Sequence, residues 1–248
     1  MKTAMMGPLR VHATGGSDGE GGGDGPAVLL CHGLGAPGDD LVALARVVDA
    51  GRGVRWFFPE APLALDLGYG MMGRAWWPID MVRLQEMIAR GRARDLAQET
   101  PEGLAEARAA LEGCLAALEA ERGVRRDRLI LGGFSQGAMI TTEVCLHAEA
   151  SPGGAAPFAG LAVLSGSLLC EDRWRPAAAR GTLRGLRALV SHGRADPLLP
   201  FDGAEEVRAL LEQAGAEVEW VPHGGQHEIP YPVLERLAAL VRRCFPQF

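Results

Sequence analysis

The sequence predicts an α/β protein, with a mostly parallel central sheet covered by helices on both faces. Two observations carry this. Short apolar runs and longer amphipathic stretches alternate almost throughout the chain, the pattern of strand–helix–strand crossovers. Ala27–Cys31 is continuously apolar rather than alternating, as a strand covered on both faces must be. A length of 248 residues, 48% hydrophobic and 23% charged, suits one domain over 1–248 with a sizeable core.

The elements follow in order. Leu9–Ala13 reads as a first strand, and Gly15–Gly25 as a glycine-rich surface turn. Ala27–Cys31 is a strand, Asp39–Ala50 a helix and Val54–Phe58 a strand. Thr100 is placed to cap the next helix, with Pro101 at its first position and Glu102 in its first turn. Leu104, Ala107, Leu111, Cys114, Leu115 and Leu118 then recur at helical spacing and give one core-facing stripe. Arg128–Leu131 is a strand, followed by a helix from Gln136 to about His147. Leu161–Leu164 and Ala188–Ser191 are strands, Ala204–Gln213 a helix, Glu217–Val221 a strand and Val233–Phe245 the closing helix.

The stretch from Leu65 to Glu99 breaks the alternation. It holds Tyr69, Met71, Met72, Trp76, Trp77, Met81 and Met87 among arginines. A long connection of that kind is often a lid or binding loop. An extra surface helix over Met81–Arg90 fits equally well, and periodicity does not separate the two readings.

Charge and cysteine usage narrow the function. A net charge of −6 argues against nucleic acid as a partner. Lys2 is the sole lysine, so Schiff-base chemistry and a phosphate-gripping P-loop lysine are disfavoured. The glycines of Gly15–Gly25 lack the G-x-G-x-x-G register of a dinucleotide site. Five scattered cysteines form neither a paired framework nor a C-x-x-C spacing, which points to a reducing compartment. Met1–Arg10 lacks the apolar core of a signal peptide, and no apolar run approaches the ~18 residues of a membrane span. The expectation is a cytoplasmic protein without integral membrane association. A homodimer is compatible with the sequence, which does not fix the oligomeric state.

The strongest chemical signal is Gly133-Phe134-Ser135-Gln136-Gly137, set between a strand and an apolar helix. In a G-x-S-x-G elbow the serine occupies a strained strand-to-helix turn, and small neighbours let the backbones approach. Its hydroxyl projects above the sheet beside a helix N-terminus, which favours developing negative charge. A nucleophilic serine needs a base, and the base an orienting acid. In the α/β-hydrolase fold these follow in the order Ser, Asp, His, each after a strand. Asp196 stands beyond the strand ending near Ser191, and His227 beyond Glu217–Val221. The expected triad is therefore Ser135, Asp196 and His227, with Asp202 as the fallback acid. A plain turn former before Pro197 is the bland reading of Asp196.

The other histidines sort by context. His223 and His227 stand four apart, but Gly224-Gly225 between them makes a metal-gripping helix improbable. His192 is expected to brace the acid loop, and His32 to orient the loop after its strand rather than transfer protons. In that loop, His32-Gly33-Leu34-Gly35, the backbone N–H of Leu34 is the candidate partner of the Gln136 N–H in an oxyanion hole. The same glycines also suit a tight turn.

Seven ordered segments together suggest a family. They are Cys31-His32-Gly33-Leu34-Gly35, Pro59-Glu60-Ala61-Pro62, Ala75-Trp76-Trp77, the serine elbow, Leu164-Ser165-Gly166, His192-Gly193-Arg194-Ala195-Asp196 and Gly224-Gly225-Gln226-His227. From about Ala27 to the C-terminus the chain resembles the phospholipase/carboxylesterase family, which includes bacterial carboxylesterases and acyl-protein thioesterases. The resemblance implies an α/β-hydrolase fold, the same triad and oxyanion donors, no cofactor, and Trp76 and Trp77 near an acyl pocket. Three departures qualify it: Cys31 before the His-Gly pair, Pro78 after the tryptophans, and a long Met81–Gln98 connection.

The expectation is a serine carboxylesterase acting on small to medium acyl esters, with 65–99 as a lid or pocket insertion. An acyl-protein thioesterase or lysophospholipase would use the same site with a longer channel. A non-catalytic binding protein on this scaffold has no need of nucleophile, base, acid and oxyanion loop together.

Overall fold

The computed structural model describes residues 1–92, 97–150 and 154–248. Among them, a nine-stranded sheet forms the centre. Its strands are β1 (Lys2–Met6), β2 (Leu9–Gly16), β3 (Glu20–Gly22), β4 (Ala27–Cys31), β5 (Arg55–Pro59), β8 (Leu129–Phe134), β9 (Gly160–Leu164), β10 (Arg187–Gly193) and β11 (Glu217–His223). The order is β1-β2-β5-β4-β8-β9-β10-β11, with β3 against β2. From β5 to β11 every pairing is parallel, and the antiparallel β1–β2 unit joins at β5.

Helices cover both faces: α1 (Leu44–Val47), α3 (Leu104–Arg122), α4 (Gln136–His147), α5 (Glu171–Ala179), α6 (Phe201–Gln213) and α7 (Tyr231–Cys244). Alternate strand residues feed two cores, as a two-residue period requires. Leu29, Leu131, Val163 and Val190 pack with α3, α4, α5 and α6. Val28, Ile130, Ala162 and Leu189 pack with α7 and Leu41. Every residue of α4 from Gln136 to Leu146 is buried, so this helix is fixed against the sheet it follows.

Two local expectations are corrected, and one helix appears where the sequence was not assigned. Asp39–Ala50 is a 3₁₀ turn (Asp40–Ala43) and one α turn, because Val48 goes extended to bury itself. Thr100 does not cap the next helix. Gly103, at φ 83°, sets a turn ahead of Leu104, where the chain closes on Pro101 O at 3.3 Å. The stretch Glu171–Ala179 is a helix despite Pro176, anchored by the buried Trp174.

The segment after β5 carries a hairpin, β6 (Leu63–Asp66) and β7 (Met72–Ala75), and a surface helix, α2 (Met81–Ala89). Asp80 caps α2 by accepting from Arg83 N–H at 2.9 Å. Residues 93–96 of the expected insertion lie outside the described residues.

Candidate active site

The elbow is built by crowding. Ser135 holds φ 56° and ψ −122° between β8 and α4, a region an L-residue keeps only when its surroundings impose it. Its N–H donates to Leu164 O at 2.9 Å. A Cβ on Gly133 would stand 2.4 Å from Gly137 C, and one on Gly137 would stand 2.0 Å from Cys31 O. The two glycines are therefore steric requirements of the turn. Cys31 itself is fully buried, and burial drives its thiol pKa well above the ordinary value, the state of an inert thiol.

His227 comes to the elbow from the loop after β11. Its ring lies 4.7 Å from that of Phe134, the residue before Ser135, and its Nδ1 is 2.6 Å from Asp196 Oδ2. Asp196 Oδ1 accepts the N–H groups of Leu198 and Leu199 at 2.8 and 2.9 Å. Burial alone would raise this carboxyl's pKa. The hydrogen bond from His227 and the two backbone donors outweigh that and leave it below the ordinary value. An ionised Asp196 makes Nδ1 the protonated nitrogen of His227 and leaves Nε2 as its basic nitrogen. Asp202, in the first turn of α6, is exposed.

His192 is buried and braces the acid loop. Its Nε2 donates to Leu199 O at 2.8 Å and stands 3.3 Å from Asp196 Oδ2. His32 accepts the Ala61 N–H on Nε2 at 3.0 Å, and its Nδ1 meets Gly33 O at 2.8 Å. Desolvation lowers its pKa, so the ring is a neutral strut. His223 closes β11, where its Nδ1 accepts the Gly225 N–H at 3.2 Å.

Gln136 is the first residue of α4, so its N–H has no helical carbonyl to serve. Leu34 sits half-buried in the facing loop, and Gly33 closes on Ser135: a Cβ there would be 3.2 Å from the serine Cβ. A hydroxyl, an imidazole held by a carboxylate, and N–H groups at a helix start and on a facing loop are the parts that acyl transfer requires.

The tryptophans divide. Both are 1% exposed. Trp76 is a strut: its N–H donates to Gln136 Oε1 at 2.9 Å and its indole N–H to His32 O at 3.0 Å. Trp77 lines a cavity of about 720 Å³ together with Leu84 and Ile88 of α2, Met139, Leu168 and Leu199. Asp196 is also on the wall of this cavity. Trp76 is not among its lining residues. The surface helix thus contributes to the cavity wall.

Sequence reasoning missed the Gln136 side chain, which also donates to Trp77 O at 2.8 Å. It missed Arg74 as well, whose backbone N–H donates to Ala36 O while its carbonyl accepts from Gly35 N–H. Glu60 lies in Pro59-Glu60-Ala61-Pro62, but nothing in that stretch signals its link to Arg74.

The model of the phospholipase/carboxylesterase family matches residues 23–245. Acyl-protein thioesterase 1 of Yarrowia lipolytica is 26% identical over 204 residues, covering 80% of this chain and 82% of that protein. The crystal structure of esterase PE8 superposes with a TM-score of 0.75 at 26% identity, covering 96% of this chain and 99% of that one. The Bacillus cereus carboxylesterase shares the fold, with a TM-score of 0.68 at 20% identity over 96% and 95% of the two chains.

Proposed function

The chain belongs to the phospholipase/carboxylesterase family, and from that membership we propose a serine carboxylesterase that cleaves small to medium acyl esters through an acyl-enzyme on Ser135. It is a serine hydrolase acting on carboxylic ester or thioester bonds. The observation that carries the site assignment is the 2.6 Å Asp196–His227 hydrogen bond beside a serine at positive φ.

In this reading Ser135 Oγ attacks the acyl carbonyl as His227 Nε2 takes its proton. Asp196 keeps Nδ1 protonated and stabilises the imidazolium. The N–H groups of Leu34 and Gln136 receive the developing oxyanion, where one well-placed donor can be worth about 2.7–4 kcal/mol. His227 returns the proton to the departing alcohol or thiol. Water, deprotonated by the same imidazole, then releases the acid. The cavity has Asp196 on its wall but not Ser135 or His227; in this reading it receives the acyl group against Trp77, Leu84 and Ile88, the part of the segment 65–99 that lines it. Its volume of about 720 Å³ is within the range of small-ligand pockets. It also supports a second reading, a thioesterase or lysophospholipase taking longer chains.

An ester series of rising acyl length with matched thioesters tests both. Turnover highest for short esters and abolished by Ser135→Ala supports the first. An optimum at long-chain thioesters favours the second, and turnover surviving Ser135→Ala rejects both.

A further inference from the structure

Strand β7 reaches both halves of the candidate oxyanion hole. On one side, its continuation through Trp76–Trp77 is tied to the Gln136 side chain at 2.9 and 2.8 Å. On the other, Arg74 brackets the loop that carries Leu34. Gly35 N–H donates to Arg74 O at 2.8 Å, and Arg74 N–H donates to Ala36 O at 3.0 Å. The approach is close enough that a Cβ on Gly73 would stand 2.4 Å from Gly35 O. On its N-terminal side the same loop is fixed by His32, whose Nε2 accepts the Ala61 N–H. The Leu34 peptide is thus suspended between two anchors, one at the end of β5 and one on β7.

A side-chain contact locks the β7 anchor to the β5 anchor. Arg74 donates to Glu60 Oε2 at 2.8 Å, and His12 Nε2 meets Glu60 Oε1 at 3.0 Å. The Glu60 stem lies on the loop itself: a Cβ at Gly38 would stand 2.2 Å from Glu60 Cγ. Glu60 is 9% exposed. Burial works to raise its pKa, but Arg74, Arg10 and His12 prevail and hold it below the ordinary value. A charged, largely buried carboxylate therefore fixes the strand that brackets the loop.

We propose that the Arg74–Glu60 ion pair is a positioning device for the oxyanion hole, holding β7 so that the Leu34 N–H stays aimed at the tetrahedral oxygen. The proposal rests on the reading of Leu34 as a donor. It gives the hairpin, which contributes no residue to the cavity wall, a role in the chemical step. Neither residue touches substrate in this account; both act through the loop. An oxyanion contact is made only in the transition state, so its misalignment lowers kcat and leaves KM nearly unchanged.

The test compares Arg74→Met, Arg74→Lys, Glu60→Gln and the Arg74→Met/Glu60→Gln pair on a short-chain ester, with circular dichroism on each. Arg74→Met and Glu60→Gln should each lower kcat about tenfold, short of the 10²–10³ lost with an oxyanion donor itself, while KM moves less than about twofold. Arg74→Lys should restore part of the loss, and the double variant should be no worse than the worse single. An alkyl boronic acid, whose serine adduct places an oxygen in the hole, should bind more weakly by the same factor as the fall in kcat. Unchanged kcat, a rise in KM at constant kcat, or independent multiplying losses in the double variant would overturn the proposal. Should Arg74→Met fail to fold, Glu60→Gln, nearly identical in shape, decides alone. Ester turnover in the parent protein that survives Ser135→Ala would instead reject the site assignment itself.

Discussion

Gly137→Ala probes the elbow at its tightest point. The new methyl would sit 2.0 Å from Cys31 O, 2.4 Å from Cys31 C and 2.5 Å from His32 O. All three are backbone atoms, so no side chain can swing aside. Ordinary contact begins at 3.4 Å, so α4 and the end of β4 must part by about 1.4 Å. That displacement falls between Ser135 and the His32–Gly35 loop, the two sides of the proposed oxyanion hole. A misplacement of about 1 Å costs roughly 10² in rate, and overpacking costs about 1–3 kcal/mol of stability. Turnover of a short ester should therefore fall at least about 100-fold. The melting temperature should fall by roughly 2–4 °C per kcal/mol lost. Gly224→Ala, whose methyl meets nothing within 4 Å, serves as the control. A folded Gly137→Ala enzyme with kcat within threefold of the parent would refute the steric account of the elbow.

Trp77→Ala should cost about 3–5 kcal/mol of stability, as for other buried aromatic truncations, and shift the acyl optimum toward longer or bulkier chains. Gln136 holds the main-chain carbonyl of Trp77, so the tether survives the truncation. An unchanged acyl-length profile in a folded variant would remove Trp77 from the specificity wall. Asp196→Asn should lower turnover by about 10⁴, because the imidazole is then held in the wrong tautomer, whereas Asp202→Asn should stay near parental. The reverse ranking would show the acid assignment to be wrong. Because Asp196 titrates below its ordinary value in the fold, its stabilisation is full above the normal aspartate range and fades as pH falls through the folded pKa. Urea unfolding across a pH series should therefore show the gap between parent and Asp196→Asn narrowing toward acid, and a gap that widens there would contradict the linkage.

What the sequence made legible was whatever depends on local pattern. The continuous apolar run Ala27–Cys31 has the pattern of a doubly covered strand, and it is one. The elbow's spacing encodes a steric need that the packing of Gly133 and Gly137 displays atom by atom. Features decided by tertiary contact stayed hidden. Pro176 argues against a helix over Glu171–Ala179, yet the buried Trp174, whose indole N–H donates to Glu143 at 2.6 Å, holds one in place. Thr100-Pro101 is a proper helix-start signal, overridden three residues later by Gly103 in the left-handed region. Trp76 and Trp77 looked alike as pocket aromatics, and only the hydrogen bonds to His32 and Gln136 reveal Trp76 as a strut. The Glu60–Arg74 pair joins the end of one strand to a hairpin, and no periodicity carries that information.

The central claim is that one serine, Ser135, carries the acyl group. Its most direct test is stoichiometric labelling of the intact protein with a fluorophosphonate, followed by mass mapping of the modified peptide. One adduct per chain is expected, on the peptide containing Phe134-Ser135-Gln136, with none on Ser135→Ala. An adduct on another serine, or labelling of Ser135→Ala at the parental rate, would contradict the account.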